Sequence, residues 1–190
     1  MVSTAGRPGP ASRAQRARLT VTSFPEFYRQ WWPPLVRCLV AQASDTRWAE
    51  DIAQDTMLAA RDNWERLLTF ERPDAWLFKV GIRSLRRLEA RAREQCLLPD
   101  DHTSAARDLV VAAAMDDWVA THLDVVAALR SLPRRQAEVA VLHCLAGYTF
   151  AESAQILGIA EPTAKEHFKR ARVRLQQLLD PTPPAPVPHA

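Results

Sequence analysis

The sequence predicts an all-α protein of two small helical domains, joined by an acidic flexible linker and flanked by disordered tails. Apolar residues recur every three or four positions from about residue 23 to residue 179, with almost no strand-like alternation. Residues 96–124 carry six aspartates against a single arginine, and such a charge reversal is typical of a boundary between domains. The two ends of the chain are poor in large apolar residues and cannot form a core.

These patterns place the domain boundaries. A disordered basic tail covers residues 1–20, and the first helical domain covers residues 21–95. The acidic linker follows at residues 96–118, and the second helical domain spans residues 119–180. The last segment, residues 181–190, holds five prolines, which are incompatible with a helix interior.

Helical periodicity divides the first domain into segments. The stretch SFPEFYRQWWPPLVRCLVAQA is expected to be interrupted at Pro33-Pro34, giving two helices. The next helix can be capped by Ser44 or Asp45. A further helix begins near Pro73, since proline is favoured in a first turn.

The helix that follows Asp45 has two distinct faces. Its predicted inward face consists of Ala49, Ile52, Ala53, Thr56, Ala59, Ala60 and Asn63. Its predicted outward face consists of Asp51, Gln54, Asp55, Leu58, Asp62 and Glu65. An acidic face with a central leucine favours docking of a protein partner, although single exposed leucines are also ordinary on a solvated face.

The helix from Pro73 carries the opposite charge. Trp76, Lys79, Arg83 and Arg86 form one stripe along it. An aromatic ring at the head of a basic stripe suits single-stranded nucleic acid, because bases stack on rings while cations follow the backbone. The alternative is that Trp76 belongs to the core and the arginines only solubilise the helix.

The second domain ends in a predicted helix-turn-helix. Pro133 separates two helices, Gly147 ends one, and TFAESAQILGI forms a short helix that turns at Gly158. The final helix begins near Pro162 and has one apolar face, namely Ala164, Phe168, Ala171, Leu175 and Leu178. Ser153 interrupts the apolar packing expected of the short helix.

Polar and basic residues occupy the other faces of the final helix. They are Lys165, Glu166, His167, Lys169, Arg170, Arg172 and Arg174. A helix that presents such groups at its N-terminal end, braced by a shorter helix, fits the major groove of DNA. Glu166 and Arg170 suit base reading, whereas Lys165 and Lys169 suit phosphate contacts. The alternative is a solvated basic face on a helical hairpin.

Other classes of function find little support. No apolar run reaches membrane-spanning length and the first twenty residues lack a secretory apolar segment, so we expect a cytoplasmic protein. No phosphate loop, H-E-x-x-H or nucleophile elbow is present, and we expect no catalytic residue and no cofactor. His143-Cys144 and Cys96 with His102 are only pairs, so no metal site is expected. The odd number of cysteines predicts buried free thiols.

Taken together, the motifs resemble a known family. AEDIAQDTMLAARDNW with PDAWLFKVGIRSLRR resembles region 2 of the extracytoplasmic-function (ECF) bacterial RNA polymerase sigma factors. LRSLPRRQAEVAVLHCLAGYTFAESAQILGIAEPTAKEHFKRARVRL resembles their region 4. The resemblance covers about residues 23–179 and implies a region 2 helical bundle followed by a region 4 helix-turn-helix.

The resemblance implies a role for each surface. Core RNA polymerase would bind Asp51, Gln54, Asp55 and Leu58 through the clamp helices of its β′ subunit, and region 4 would pack on the β flap. The −10 promoter element would be bound by Arg72, Trp76, Lys79, Arg83, Arg86 and Arg87. The −35 element would be bound by Thr163, Lys165, Glu166, His167, Lys169 and Arg170. The acidic linker would thread toward the RNA exit path, and the resemblance leaves open an anti-sigma factor as a further partner.

One alternative function stays open at this point. Lys165 and His167 also suit a helix-turn-helix transcriptional regulator of the response-regulator type. That alternative leaves residues 23–95 unexplained, because no α/β receiver pattern appears there.

Overall fold

The computed structural model describes residues 23–95 and 121–179, and within these ranges the chain is helical with no β-strand, as predicted. The N-terminal block, residues 23–95, contains α1 (Phe24–Val40), α2 (Thr46–Asp62), α3 (Trp64–Leu67) and α4 (Pro73–Glu94). The C-terminal block, residues 121–179, contains α5 (Leu123–Arg130), α6 (Arg134–Ala140), α7 (Phe150–Leu157) and α8 (Glu161–Leu179). A π-helical segment, Val141–Leu145, continues α6.

Local sequence signals set the helix boundaries as predicted. The Asp45 carboxylate caps α2 by accepting a hydrogen bond from the Arg47 backbone N–H at 2.9 Å. Pro73 is the first residue of α4. Gly158 ends α7 with a φ of 68°, a left-handed conformation in which glycine lacks the steric cost of a side chain.

The interruption predicted at Pro33-Pro34 is wrong, because both prolines lie inside the continuous helix α1. The missing N–H groups deprive the carbonyls of Arg29 and Gln30 of their helical partners, but these two residues are exposed, so water can reach that side of the helix. Apolar residues on both sides of the prolines keep helical spacing and are buried, namely Phe27, Trp31, Leu35, Cys38 and Leu39. Burial of this continuous face outweighs the loss of two hydrogen bonds.

The inward face of α2 is largely as predicted, with two differences. Asn63 is exposed, because it ends the helix and its side-chain amide donates to the Ala59 carbonyl at 2.8 Å. Met57, absent from the prediction, is buried between the predicted positions Ala53 and Ala60. The flexible methionine side chain widens the apolar face beyond the strict periodic positions.

The C-terminal block forms around α8. This helix packs on α5, α6 and α7, and it buries Ala164 and Ala171 completely. Phe168 and Leu175 are half-buried, whereas Leu178 is 50 % exposed, so its predicted inward position is wrong. Leu178 lies in the last turn of α8, beyond the buried part of that face.

The two blocks pack against each other. α4 contacts α7, α1 contacts the π-helical segment, and one cluster of buried apolar residues includes side chains from both blocks. The predicted linker at 96–118 and the predicted tails at 1–20 and 181–190 lie outside the described residues, so the division into two domains stays a prediction. Within the described ranges, no helix is both long enough and apolar enough to cross a membrane.

The two cysteines in the described ranges are free thiols that differ in burial. Cys38 is buried in the N-terminal block, as predicted. Cys144, on the π-helical segment, is exposed, so the expected burial is wrong there. Cys96 lies outside the described residues.

Candidate nucleic-acid and partner interfaces

The acidic face of α2 lies on the protein surface. Asp51, Gln54, Asp55 and Leu58 are all exposed, and Leu58 shows 47 % of its surface to solvent. The opposite side of α2 is buried against α1 and α4, which fixes the direction in which these four side chains project. The result is an exposed acidic face that also carries an apolar side chain, suited to a protein partner with basic groups beside an apolar patch.

The basic stripe of α4 is divided by the structure. Lys79, Arg83 and Arg87 are exposed and present positive charge to solvent. Trp76 is half-buried and packs against the core, so only part of its ring is open to a ligand. Arg72 and Arg86, also predicted to contact nucleic acid, are each held by carboxylates of the C-terminal block.

Arg72 belongs to a buried network between the two blocks. Its guanidinium contacts Asp74, with Nη2 at 2.6 Å from Oδ2, and also pairs with Glu152 of α7. The Tyr148 hydroxyl donates to Asp74 Oδ2 at 2.8 Å, and the Arg72 guanidinium lies 5.0 Å from the centre of the Tyr148 ring. The Tyr148 ring in turn meets Phe78 edge to face, at 5.4 Å.

The pKa values of this network are shifted in the directions that strengthen it. Burial raises the pKa of Tyr148 well above its usual value, and the charge of Asp74 adds to this, so the hydroxyl stays a donor. Burial alone would lower the pKa of Arg72, but the hydrogen bond and charge of Asp74 raise it above its usual value. Burial alone would raise the pKa of Glu152, but hydrogen bonds from Thr149 and the charge of Arg72 lower it.

Arg86 makes a second, bidentate contact between the blocks. Its Nε and Nη2 donate to the two carboxylate oxygens of Glu138 at 2.7 and 2.6 Å. The Glu138 side chain is only 2 % exposed, and it also accepts from Arg134 and Arg135 of its own helix. A carboxylate buried to this degree needs such partners, because desolvation of an unpaired charge is expensive.

The helix-turn-helix is formed by α7 and α8. A reciprocal capping box starts α7: the Thr149 hydroxyl accepts from the Glu152 backbone N–H at 3.2 Å, and the Glu152 carboxylate accepts from the Thr149 N–H at 2.9 Å. On the N-terminal half of α8, Thr163, Lys165, Glu166, Lys169 and Arg170 are exposed and available to a ligand.

His167 departs from the predicted set. It is half-buried, and its Nδ1 atom is buried without a hydrogen-bond partner. The ring therefore lies at the margin of the exposed face, where packing restricts its access to DNA.

Two exposed ion pairs lie on the part of α8 that carries the candidate DNA-contacting residues. Lys165 Nζ is 2.7 Å from Glu161 Oε1, and Arg170 Nε is 2.8 Å from Glu166 Oε1. Both pairs join residues four apart on a solvated helix, where such pairs contribute little stability. Their side chains are therefore free to exchange these contacts for contacts to DNA.

His143 packs against both helices of the helix-turn-helix. Its ring stacks on Phe150 at 4.2 Å and meets Phe168 edge to face at 4.8 Å. Its Nδ1 is 2.8 Å from the Tyr148 carbonyl oxygen. Among the described residues no group of three or more potential metal ligands occurs, and the pair of Cys96 with His102 lies outside them.

Sequence reasoning missed the residues that join the blocks, above all Tyr148, Asp74, Glu138 and Glu152. Asp74 beside Pro73 looks like an ordinary acidic residue in a first turn, and Glu138 looks like the partner of Arg134 four residues earlier. No periodic pattern connects them, because their partners are more than fifty residues away.

Comparison with known proteins gives consistent results. Residues 122–175 match the family model described as sigma-70, region 4. RNA polymerase sigma factor CnrH of Cupriavidus metallidurans is 32 % identical over 143 residues, covering 69 % of this chain and 73 % of CnrH. ECF RNA polymerase sigma factor EcfG of Rhodopseudomonas palustris is 30 % identical over 150 residues, covering 77 % of this chain and 80 % of EcfG.

A solved structure shares the fold. The sigma factor RpoE of Bartonella quintana, crystallised with the anti-sigma factor NepR, superposes with a TM-score of 0.65. The match covers 86 % of this chain and all of that one, at 24 % sequence identity.

Proposed function

The chain belongs to the ECF RNA polymerase sigma factors, and from this premise we propose which of its surfaces bind the polymerase and which bind the promoter. A sigma factor binds core RNA polymerase and directs promoter-specific initiation of transcription; it is a regulatory initiation factor. The response-regulator alternative is not favoured, because the family accounts for the N-terminal block as well as for the helix-turn-helix. The cytoplasm, where transcription takes place, is the proposed location.

We propose the acidic face of α2 as the site for core polymerase. The observation that carries this assignment is the exposure of Leu58 on the same face as Asp51, Gln54 and Asp55, one turn after the last two. An apolar side chain beside carboxylates and an amide on one exposed face gives a partner both buried area and charge complementarity. The clamp helices of the β′ subunit are the proposed partner, and the β flap is the proposed partner of the C-terminal block.

We assign the −35 element to α8 and the −10 element to α4. Exposed Thr163, Glu166 and Arg170 stand on the N-terminal half of α8, in the position from which a recognition helix reads base edges. Exposed Lys79, Arg83 and Arg87 supply the positive charge along α4. An anti-sigma factor as a further partner stays a prediction from the family resemblance.

The test of the proposed function uses purified core polymerase. The full chain should co-elute with core and support run-off transcription from a pool of genomic fragments. The double variant Asp51→Arg/Asp55→Arg should lose co-elution and transcription while keeping its helicity and melting temperature, because both residues are exposed. Glu94→Arg/Asp124→Arg is the matched control, since it reverses the same number of charges at two exposed residues outside α2. Core binding by the double variant equal to that of the wild type would refute this assignment.

A further inference from the structure

An apolar groove lies between the π-helical segment and the C-terminal half of α8. Its volume is about 440 Å³, and its lining consists of Cys144 and five residues of α8, namely Phe168, Arg172, Leu175, Gln176 and Leu179. The Leu179 side chain is 43 % exposed, and the Cys144 thiol is exposed as well. This apolar surface is therefore open to a ligand.

The groove ends where the C-terminal segment of the chain begins. Phe168, Leu175 and Leu179 are spaced seven and four residues apart, so they form one stripe along α8. From Phe168 to Leu179 this stripe is about 16 Å long, because a helix rises about 1.5 Å per residue. Residues 180–190 follow directly, and eleven residues in the polyproline II conformation span about 34 Å. The segment is thus long enough to turn back after Leu179 and follow the whole groove.

The composition of residues 181–190, the proline-rich segment, suits an apolar groove. Its sequence, PTPPAPVPHA, contains five prolines and no Asp, Glu, Lys or Arg. Prolines supply apolar rings and have no backbone N–H that burial would leave without a hydrogen bond. Proline-rich segments also lose little conformational entropy on binding, and grooves lined by aromatic side chains bind them for this reason. The Phe168 ring provides such an aromatic wall.

We propose that the proline-rich segment folds back and docks in this groove, so that the chain covers the apolar surface beside Cys144 with its own residues. A segment tethered at the edge of the groove has an effective concentration in the millimolar range. A second copy of the chain would have to reach a comparable concentration to displace it, which favours the tethered segment as the occupant. The proposal goes beyond the proposed function and does not depend on which surfaces bind polymerase or promoter.

The Cys144 thiol reports whether the groove is occupied. Cys38 is buried, and Cys96 is replaced by serine in every variant, so the rate of reaction with N-ethylmaleimide measures the access to Cys144. The full chain is compared with a shortened chain that ends at residue 180 and with a full-length variant in which the five tail prolines and Val187 are serine. Deletion of residues 2–11 is the matched control, because it removes the same number of residues from the other end.

Both tail variants should react at least about threefold faster than the full chain, because a tethered segment occupies the groove most of the time. Deletion of residues 2–11 should leave the rate unchanged. The free peptide PTPPAPVPHA, added at millimolar concentration, should slow the reaction of the shortened chain. Equal reaction rates for the full chain, the shortened chain and the serine variant would overturn the proposal.

Two exposed leucines in the last turn of α8 provide a second test. Leu179 lines the groove, whereas Leu178, 50 % exposed, does not. Leu179→Gln should speed the reaction in the full chain but not in the shortened chain, and Leu178→Gln should change neither rate. An equal effect of Leu179→Gln in both chains would contradict docking of the segment. Protection of Cys144 that rises with protein concentration, or that appears only with core polymerase, would identify a different occupant and would also overturn the proposal.

Discussion

Replacement of Ser153 by alanine should stabilise the protein. Ser153 lies in the first helix of the helix-turn-helix, and its side chain is completely buried. Its hydroxyl oxygen has no hydrogen-bond partner, although its backbone N–H is bonded to the Thr149 carbonyl at 2.9 Å. The hydroxyl has therefore lost its hydration without gaining a replacement.

The size of the effect follows from the burial. A buried, unsatisfied hydroxyl costs about 1–3 kcal/mol, and alanine has the higher helix propensity by a few tenths of a kcal/mol. The small void left by the oxygen offsets part of this gain. We expect Ser153→Ala to raise the free energy of unfolding by about 1–2 kcal/mol, which corresponds to roughly 2–8 °C in melting temperature for a chain of this size.

Thermal and urea unfolding followed by circular dichroism measure this change. The matched control is Ser131→Ala, since the exposed Ser131 hydroxyl donates to the Ala128 carbonyl at 2.8 Å. That variant should be neutral or slightly destabilised. If Ser153→Ala lowered the stability, the hydroxyl would have a partner that the packing around it does not reveal, and the reasoning from an unsatisfied group would fail.

Three further predictions concern the proposed DNA contacts and the response to acid. Arg170→Ala should reduce the binding free energy by about 1–3 kcal/mol at one base pair of the −35 element and relax the preference there, whereas Lys169→Ala should weaken binding to all sequences alike. Binding of each variant to every single-base substitution of the −35 element separates the two effects. A uniform loss of affinity for Arg170→Ala would contradict base reading by that residue. Binding of the full chain with core polymerase to promoter DNA should weaken steeply with salt, because each phosphate contact adds roughly 0.9 to the slope of log affinity against log salt concentration. Lys169→Ala should lower that slope by about this amount. An unchanged slope would argue against a phosphate contact by Lys169. The pKa of Glu152 is lower in the folded chain than its usual value of 4.5, so its contribution to stability is present above that pH and is lost as the pH falls below it. In urea unfolding measured at a series of pH values, the free energy of unfolding should decline less steeply toward acid pH for Glu152→Gln than for the wild type. Identical pH dependences of the two proteins would contradict this.

Local chemistry made many parts of the fold predictable from the sequence. Asp45, Pro73 and Gly158 set helix ends through interactions within a few residues, and each acts where it was expected. The acidic face of α2 was predictable because helical periodicity alone places its members on one side. For the same reason the exposed polar residues of α8 were found without a structure, with His167 as the exception.

The sequence by itself therefore determined most of the helices, their order and most of the exposed faces, because these depend on short-range spacing. Only the tertiary structure decided that α1 continues through Pro33 and Pro34, since the burial of its apolar face had to be weighed against two lost hydrogen bonds. Only the tertiary structure joined Arg72 to Glu152 and Arg86 to Glu138, across 80 and 52 residues of sequence. Contacts over such distances depend on how two blocks pack, and no periodicity in either block encodes their pairing.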